Sequence, residues 1–382
     1  MARRKLRVGI VGVGGMGGSH CNACGRLSEV KLTAVCDIDP DRAQEIGERF
    51  GVPHFVKHRD LLKSGLVDGI IIATPHYFHP PIAIDAFKTG LHVLSEKPIA
   101  VRTSQAVRMV RAAERSGKVF AAMFQRRMES PFRAARKLVE RGVLGEVTRT
   151  LMIFPTFRSQ AYYNSGGWRA TWDGEGGGPL LNQAPHTLDM FTLLGGMPSK
   201  VTGVTRTLMH DIEVEDDAEA LLEYPNGASG YFYTSTCEPA PGDLLEIVGD
   251  KAKLRLVDGK LSVYRYKGGI AKFNRVNKAM WGAPKAEEVE IKLPEGESGH
   301  GVIIRNWARA ILYREKLIAP GADGIRSVEL ANAVQLSSWK REPVKVPINR
   351  RAYDRALQSL RDTSKFKKKV VATKRETDPR IK

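Results

Sequence analysis

Hydrophobic and polar positions change their period along the chain. Early on, short unbroken apolar runs ("LRVGIVG", "KLTAVCD", "GIIIAT", "HVLSE", "VFAAMF") alternate with amphipathic stretches such as "PDRAQEIGERF", "PPIAIDAFKTG" and "TSQAVRMVRAAERSGK". Unbroken apolar strands are buried on both faces and helices supply the cover, so the pattern predicts a doubly wound parallel sheet of α/β class. Past Glu146 strict alternation takes over. "DAEALLEYPNGASGYFYTST" predicts two strands around Pro225-Asn226-Gly227, and "KLRLVDGKLSVYRY" two more around Asp258-Gly259. Asn-Gly and Asp-Gly tolerate the positive φ angles that tight hairpins require. The second half is therefore expected to be an α+β domain with a large, mostly antiparallel sheet. Two late helical stretches, "GVIIRNWARAILYRE" and "GIRSVELANAVQLSSWK", are expected to pack on it or to return to the first domain. The expected division is 1–126, 127–361 and a basic tail, 362–382.

Composition narrows the class. A chain of 382 residues exceeds one ordinary core, which fits two domains. No run of eighteen apolar residues occurs, so no membrane span is expected. The basic start lacks the long apolar region of a signal peptide, which makes the cytoplasm the expected address. Four cysteines without a framework of spacings argue against a disulfide scaffold. Cys21 and Cys24 are two small residues on a first helix or, alternatively, a redox pair; no second pair supports a metal. The net charge of +18 raises the question of nucleic acid. Part of the excess lies in "KFKKKVVATKRETDPRIK", and no nucleic-acid-binding signature accompanies it. A solvated or partner-docking tail is the expectation, and binding of nucleic acid is not.

Chemistry gathers at a few places. "GIVGVGGMGGSH" holds Gly12-x-Gly14-x-x-Gly17 between a strand and a helix. In that context the first glycine permits the tight turn, the second lets a pyrophosphate approach, and the third lets helix press on strand. Asp37 follows Gly17 by twenty residues, at the end of the second strand. A carboxylate there suits ribose hydroxyls and disfavours a 2′-phosphate, hence NAD over NADP, with Arg42 softening the preference. Lys97, in "HVLSEKPIA", closes a parallel strand where ligands bind in such sheets, and Pro98 shapes the turn. In "LLNQAPHTLDM", Asn182, His186 and Asp189 stand at i, i+4 and i+7, one face if helical. Pro185 requires that such a helix begin near Leu181 or later, with Asn182 at its entry.

The ordered set of glycine fingerprint, Asp37, "TPHYFH", "EKP", "GGWR", "GGGPLLNQAPHTLD" and "GIRSVELANAVQLSSW" resembles the Gfo/Idh/MocA oxidoreductase family over residues 6 to 345. The resemblance implies an NAD-binding Rossmann domain, and the "NQAPH" variant is most similar to branches that oxidise ring hydroxyls of sugars, cyclitols or glycosides. It implies that Gly12, Gly14, Gly15, Met16 and Gly17 cradle the pyrophosphate, and Asp37 and Ile38 the adenosine. Thr74, Pro75, His76 and His79 would line the cofactor path, and Glu96 and Lys97 the nicotinamide ribose. Gln125, Trp168 and Arg169 would close over nicotinamide or substrate, and Lys97 and His186 would flank the reacting carbinol. It also suggests a homodimer or homotetramer formed through the open face of the antiparallel sheet. The tail has no counterpart in the family.

Oxidation of a secondary alcohol moves a hydride from carbon and a proton from oxygen. His186, with an ordinary pKa of about 6.5, is expected to take the proton. Lys97 is expected to stay cationic and stabilise the alkoxide, unless burial lowers it enough to act as base. The family often carries Asp where this chain has Asn182, so a charge-based role there is in doubt while a hydroxyl grip is retained. Asp189 is expected either to orient His186 or to satisfy nearby backbone or an arginine. Two other functions remain on the same scaffold: an NAD-using glycosidase acting by transient oxidation, and a non-enzymatic dinucleotide-sensing regulator.

Overall fold

Six strands form the first sheet in the computed structural model, which describes residues 4–371: β1 (Leu6–Val11), β2 (Val30–Cys36), β3 (His54–Phe55), β4 (Gly69–Ile72), β5 (His92–Ser95) and β6 (Phe120–Ala122). Their order is β3-β2-β1-β4-β5-β6, and every pairing is parallel. The order reverses between β1 and β4, which opens a crevice at the carboxyl ends of those strands. Val8, Ile10, Ile70, Ile71 and Ile72 are fully buried, as strands covered on both faces must be. Local chemistry sets the helices between them. The helix Pro40–Phe50 starts where Asp39 accepts from the Arg42 amide at 3.2 Å and stops at Gly51 in the left-handed conformation.

The second sheet has nine strands: β7 (Val147–Pro155), β8 (Lys200–Arg206), β9 (Asp217–Glu223), β10 (Ser229–Ser235), β11 (Leu244–Gly249), β12 (Ala252–Val257), β13 (Lys260–Tyr266), β14 (Ala286–Glu288) and β15 (Val344–Lys345). In the order β14-β13-β12-β11-β7-β10-β9-β8-β15, β7 and β10 run parallel and the other neighbours antiparallel. Both expected hairpins form. Gly227 turns β9 into β10 with φ of 86°, and Asp258 and Gly259 turn β12 into β13 with φ of 44° and 78°. Ala218, Ala220, Leu222 and Phe232 face a core shared with the helices Pro185–Gly195 and Gly324–Lys340.

The two late helices divide the expectation between them. The helix His300–Tyr313 returns to the first domain, where Ile303, Ile304 and Trp307 join Val8, Ile10 and Ile71 in one core. A side chain on Gly69 would lie 2.9 Å from the Trp307 ring, so glycine is what admits it. The helix Gly324–Lys340 ties the two sheets together. Its buried Asn332 accepts from the Thr103 amide and hydroxyl at 2.9 Å each and donates to the Val101 carbonyl at 2.9 Å.

Cys21 and Cys24 are buried free thiols, both pushed up to about 12 by burial, which disfavours the thiolate a redox pair would use. The last helix, Arg350–Thr363, runs just past the expected start of the tail. Residues 372–382 of that tail lie outside the described residues. No helix among the described residues is long and apolar enough to cross a membrane.

Candidate active site

The cradle forms where glycine is sterically required. Gly12 has φ of 86°, and a Cβ there would lie 2.8 Å from the backbone of Ala73 and Thr74. One at Gly17 would lie 1.8 Å from the Gly12 carbonyl oxygen. Beside Gly15, in contrast, the space is open. Gly14 caps the helix Gly15–Arg26, whose first turn holds no acid. The amides of Gly15, Met16 and Gly17 begin that turn without intrahelical acceptors, a seat for a phosphate.

Asp37 buttresses this loop. Its Oδ2 accepts from the Val13 amide at 2.9 Å and its Oδ1 from the Asp39 amide at 3.1 Å. Arg42 is held against both acids, 3.6 Å from Asp37 Oδ1 and 3.0 Å from Asp39 Oδ2. Ile38, between the two acids, is 85% exposed, an apolar plate on the surface beside them.

At the ends of β4 and β5 two expected ligand contacts turn out to be braces. His79 does not face the crevice: its ring nitrogens lie 2.7 Å from the Thr74 carbonyl and 2.8 Å from the Pro98 carbonyl, which locks the two loops together. Glu96 likewise is committed, with Oε1 2.8 Å from His20 Nε2 and Oε2 accepting from the Lys97 amide at 3.1 Å. Burial would raise the Glu96 carboxyl, yet the His20 hydrogen bond and neighbouring cations hold it well below the usual range. His76, after Pro75, is buried edge-on to Trp168, with ring centroids 5.8 Å apart.

Lys97 reaches across the cleft and donates from Nζ to the Asn182 carbonyl at 2.9 Å. Burial lowers its pKa, against the pull of Glu96 and Glu175. The helix carrying His186 is Pro185–Gly195, so Asn182 precedes it and the three polar residues do not share one helical face. Proline sets the start, as its missing amide allows. His186 is buried, contacts Phe124 edge-on, and has Nδ1 without a hydrogen-bond partner among the described residues. Burial first, then the charge of Lys97, drive its pKa well below 6.5, so the ring is neutral at pH 7.

Two sequence expectations need correction here. Of the two roles expected for Asp189 the structure shows the arginine pair and not the orienting of His186, and the substrate contact also expected of it is corrected: it is buried in a bidentate pair with Arg127, at 2.7 and 2.5 Å. Nor is Asn182 a free hydroxyl grip. Its amide nitrogen donates to Glu175 Oε1 and, at 3.2 Å, to the Tyr162 hydroxyl, so both of its N–H groups are taken. Glu175, which carries no motif of its own, completes this group from within a glycine run. Its Oε2 accepts from the Ala170 amide at 2.5 Å, and burial pushes the carboxyl up to about 7. An acid at the head of the glycine run in "DGEGGGP", seven residues before Asn182, was the available signal. Trp168 and Arg169 pack beside these residues. The Arg169 guanidinium lies 4.6 Å from the Trp168 ring and 4.5 Å from that of Tyr162, whose hydroxyl it bonds at 2.8 Å.

Orphaned polar atoms test whether a dinucleotide and a polar substrate fit this cleft. Buried groups are normally hydrogen-bonded, yet Thr74 Oγ1, His76 Nδ1, Gln125 Oε1, Gln183 Oε1 and His186 Nδ1 lack partners among the described residues. With the glycine cradle, they are the unsatisfied polar atoms that such ligands would engage. A second group, His210, Asp216 and Cys237, lies within 4.8 Å but has no free donor set. Both His210 nitrogens are hydrogen-bonded, and Asp216 caps the amides of Leu208, Met209 and His210.

A Rossmann crevice facing a lysine and a neutral histidine defines a dinucleotide-dependent oxidoreductase architecture. Comparison with known proteins makes the assignment specific. Residues 6–124 match the NAD-binding Rossmann domain of the Gfo/Idh/MocA oxidoreductase family, and residues 132–255 its C-terminal domain; the chain belongs to that family. Among curated relatives, 2,7-anhydro-N-acetylneuraminate hydratase of Escherichia coli is 29% identical over 66% of this chain and 67% of its own length. D-glucoside 3-dehydrogenase of Escherichia coli is 31% identical over 52% and 56%, and inositol 2-dehydrogenase of Corynebacterium glutamicum 33% over 38% and 44%. Thus the chain spans between about two fifths and two thirds of these relatives. Among solved structures, the WlbA dehydrogenase of Bordetella pertussis, in complex with NADH and UDP-GlcNAcA, superposes with a TM-score of 0.77 at 27% identity, over 91% of this chain and all of that one. Levoglucosan dehydrogenase shares the fold, with a TM-score of 0.75 at 22% identity over 90% and 100%.

Proposed function

We propose that this chain oxidises a ring secondary hydroxyl of a sugar, cyclitol or glycoside with NAD. The carrying observation is the pairing, in one cleft, of a phosphate cradle with a buried lysine and a neutral, unpartnered histidine. Gly12, Gly14, Gly15, Met16 and Gly17 hold the pyrophosphate, with Asp37 and Ile38 at the adenosine and Thr74, Pro75, His76 and Gln125 along the path. Arg42 is engaged by Asp37 and Asp39, which leaves it poorly placed to welcome a 2′-phosphate, so NAD is favoured over NADP. The bound nicotinamide supplies the hydride acceptor.

The protein's part is proton and charge. His186, neutral at pH 7, accepts the hydroxyl proton, while Lys97, fixed through the Asn182 carbonyl, stabilises the oxygen as its negative charge grows. Trp168 and Arg169 exclude water from above. A panel of polyols, sugars and glycosides with NAD and NADP, read by absorbance of the reduced cofactor, tests this. His186→Ala and Lys97→Ala should each lower turnover about 10²- to 10⁴-fold with NAD affinity retained. Glycoside cleavage without net NADH would replace this reading with transient oxidation, and NAD binding without any turnover would replace it with a regulator. The face of the second sheet turned away from the helices is read as the seat of a second copy.

A further inference from the structure

The stretch just beyond the last helix folds back over the loops that cap the cleft. Arg361, near the end of that helix, donates to Asp173 Oδ1 at 2.8 and 2.5 Å and lies 4.8 Å from the Tyr77 ring. Ten residues on, the Val371 amide donates to the Asn164 carbonyl at 3.0 Å, and Val370 packs beside Gly167. Residues 364–371 are thus pinned at both ends onto the segment that carries Trp168, Arg169 and Glu175. Between the pins the side chains alternate. Lys365, Lys367 and Lys369 are exposed, while Phe366 and Lys368 turn inward. Lys368 Nζ is buried and has no hydrogen-bond partner among the described residues. The groups its charge meets are Glu175, Asp211 and Arg169.

None of these neutralises it at contact. Among the described residues no carboxylate lies within ion-pair distance of Lys368 or of Arg169. Glu175 has already given one oxygen to Asn182 and the other to the Ala170 amide. Burying an ammonium without a partner is costly, and the cost disappears when an anion arrives. Lys97, Arg169 and Lys368 therefore gather three positive charges about the single carboxyl of Glu175. We propose that residues 364–371 form an outer wall of the active site and that Lys368, with Arg169, selects a substrate carrying an anionic group, a carboxylate or a phosphate, on its sugar. The sugar itself rests on the dehydrogenase reading above; the anion preference rests on Lys368.

Calorimetric titration of the NAD-loaded full-length protein with glucuronate, glucose 6-phosphate and glucose tests the proposal and separates the two anions. At least one anion should bind about tenfold or more tightly than glucose, and the advantage should shrink at high salt, as an electrostatic contact does. Lys368→Ala should abolish the advantage with glucose and NAD affinities unchanged, and Lys368→Arg should keep it. Failure of both anions to bind better than glucose, or an advantage that survives Lys368→Ala, overturns the assignment. Because calorimetry needs no turnover, anion binding without hydride transfer would sink the dehydrogenase reading alone.

Discussion

Asn182 shows why an amide can replace a carboxylate beside a catalytic lysine. Its neighbour Glu175 is itself a buried acid, and an aspartate at 182 would set two carboxyls face to face, where one must stay protonated. The side-chain amide instead donates to Glu175 and Tyr162, while the residue's backbone carbonyl accepts from Lys97. Burial lifts the Glu175 pKa from 4.5 to about 7, so between those values the folded state binds more protons than the unfolded chain. Stability from this group is accordingly lost as pH rises through that window, by an amount on the order of 3 kcal/mol. Glu175→Gln removes the titration. The expected outcome is that its Tm, whatever its offset at pH 5, gains on the wild type by a few degrees as the pH is raised to 8. Parallel Tm curves over that range would show that Glu175 is not buried in this way.

Elements are held in register by one buried cation. Arg127 follows β6, pairs with Asp189 on the helix behind His186, and also bonds the Ile318 carbonyl and Asp323 at 2.9 and 2.8 Å. It fixes the His186 helix against the first sheet without touching the cleft. Removing one member of a buried pair leaves the other charge stranded, so Arg127→Met should cost about 3–5 kcal/mol in denaturant unfolding, and adding Asp189→Leu should restore most of it. A single-variant cost under 1 kcal/mol would refute the pairing. This scale also separates what the sequence disclosed from what it withheld. Periodicity located both sheets, both hairpins and the cradle, because those depend on residues adjacent in the chain. The motif order brought Lys97 and His186 to one cleft. The partners of Asp189, His79 and Glu96 were not legible, since each bond joins loops distant in sequence. Asn182 looked like part of a helical face because i, i+4, i+7 spacing carries no mark of where Pro185 starts the turn. The tail was expected to be a solvated or docking segment, yet the pins at Arg361 and Val371 fold its first residues onto the cap.

At the scale of the whole molecule, the second sheet has one face packed by helices and another that is not. Core-facing Ala218, Ala220, Leu222 and Phe232 alternate with outward Glu219, Leu221, Tyr231 and Tyr233. Leu221 is 61% exposed near the middle of this face, between the ion pairs Arg206–Glu219 and Lys200–Glu223. An apolar strip within a charged rim is the composition of an association surface. Beyond it, over β7, β11 and β12, the same face carries the ion pairs Arg149–Glu246 and Arg255–Glu246, a charged flank for a self-complementary contact. A second copy of this chain is therefore its expected occupant. Light scattering on the purified protein should give a dimer or a multiple of it. Leu221→Arg, which sets like charges against each other across a two-fold contact, should shift the population toward monomer with the NAD affinity unaltered, since the cradle lies in the other domain. A wild-type protein that stays monomeric at tens of micromolar would overturn this assembly while leaving the cleft chemistry intact.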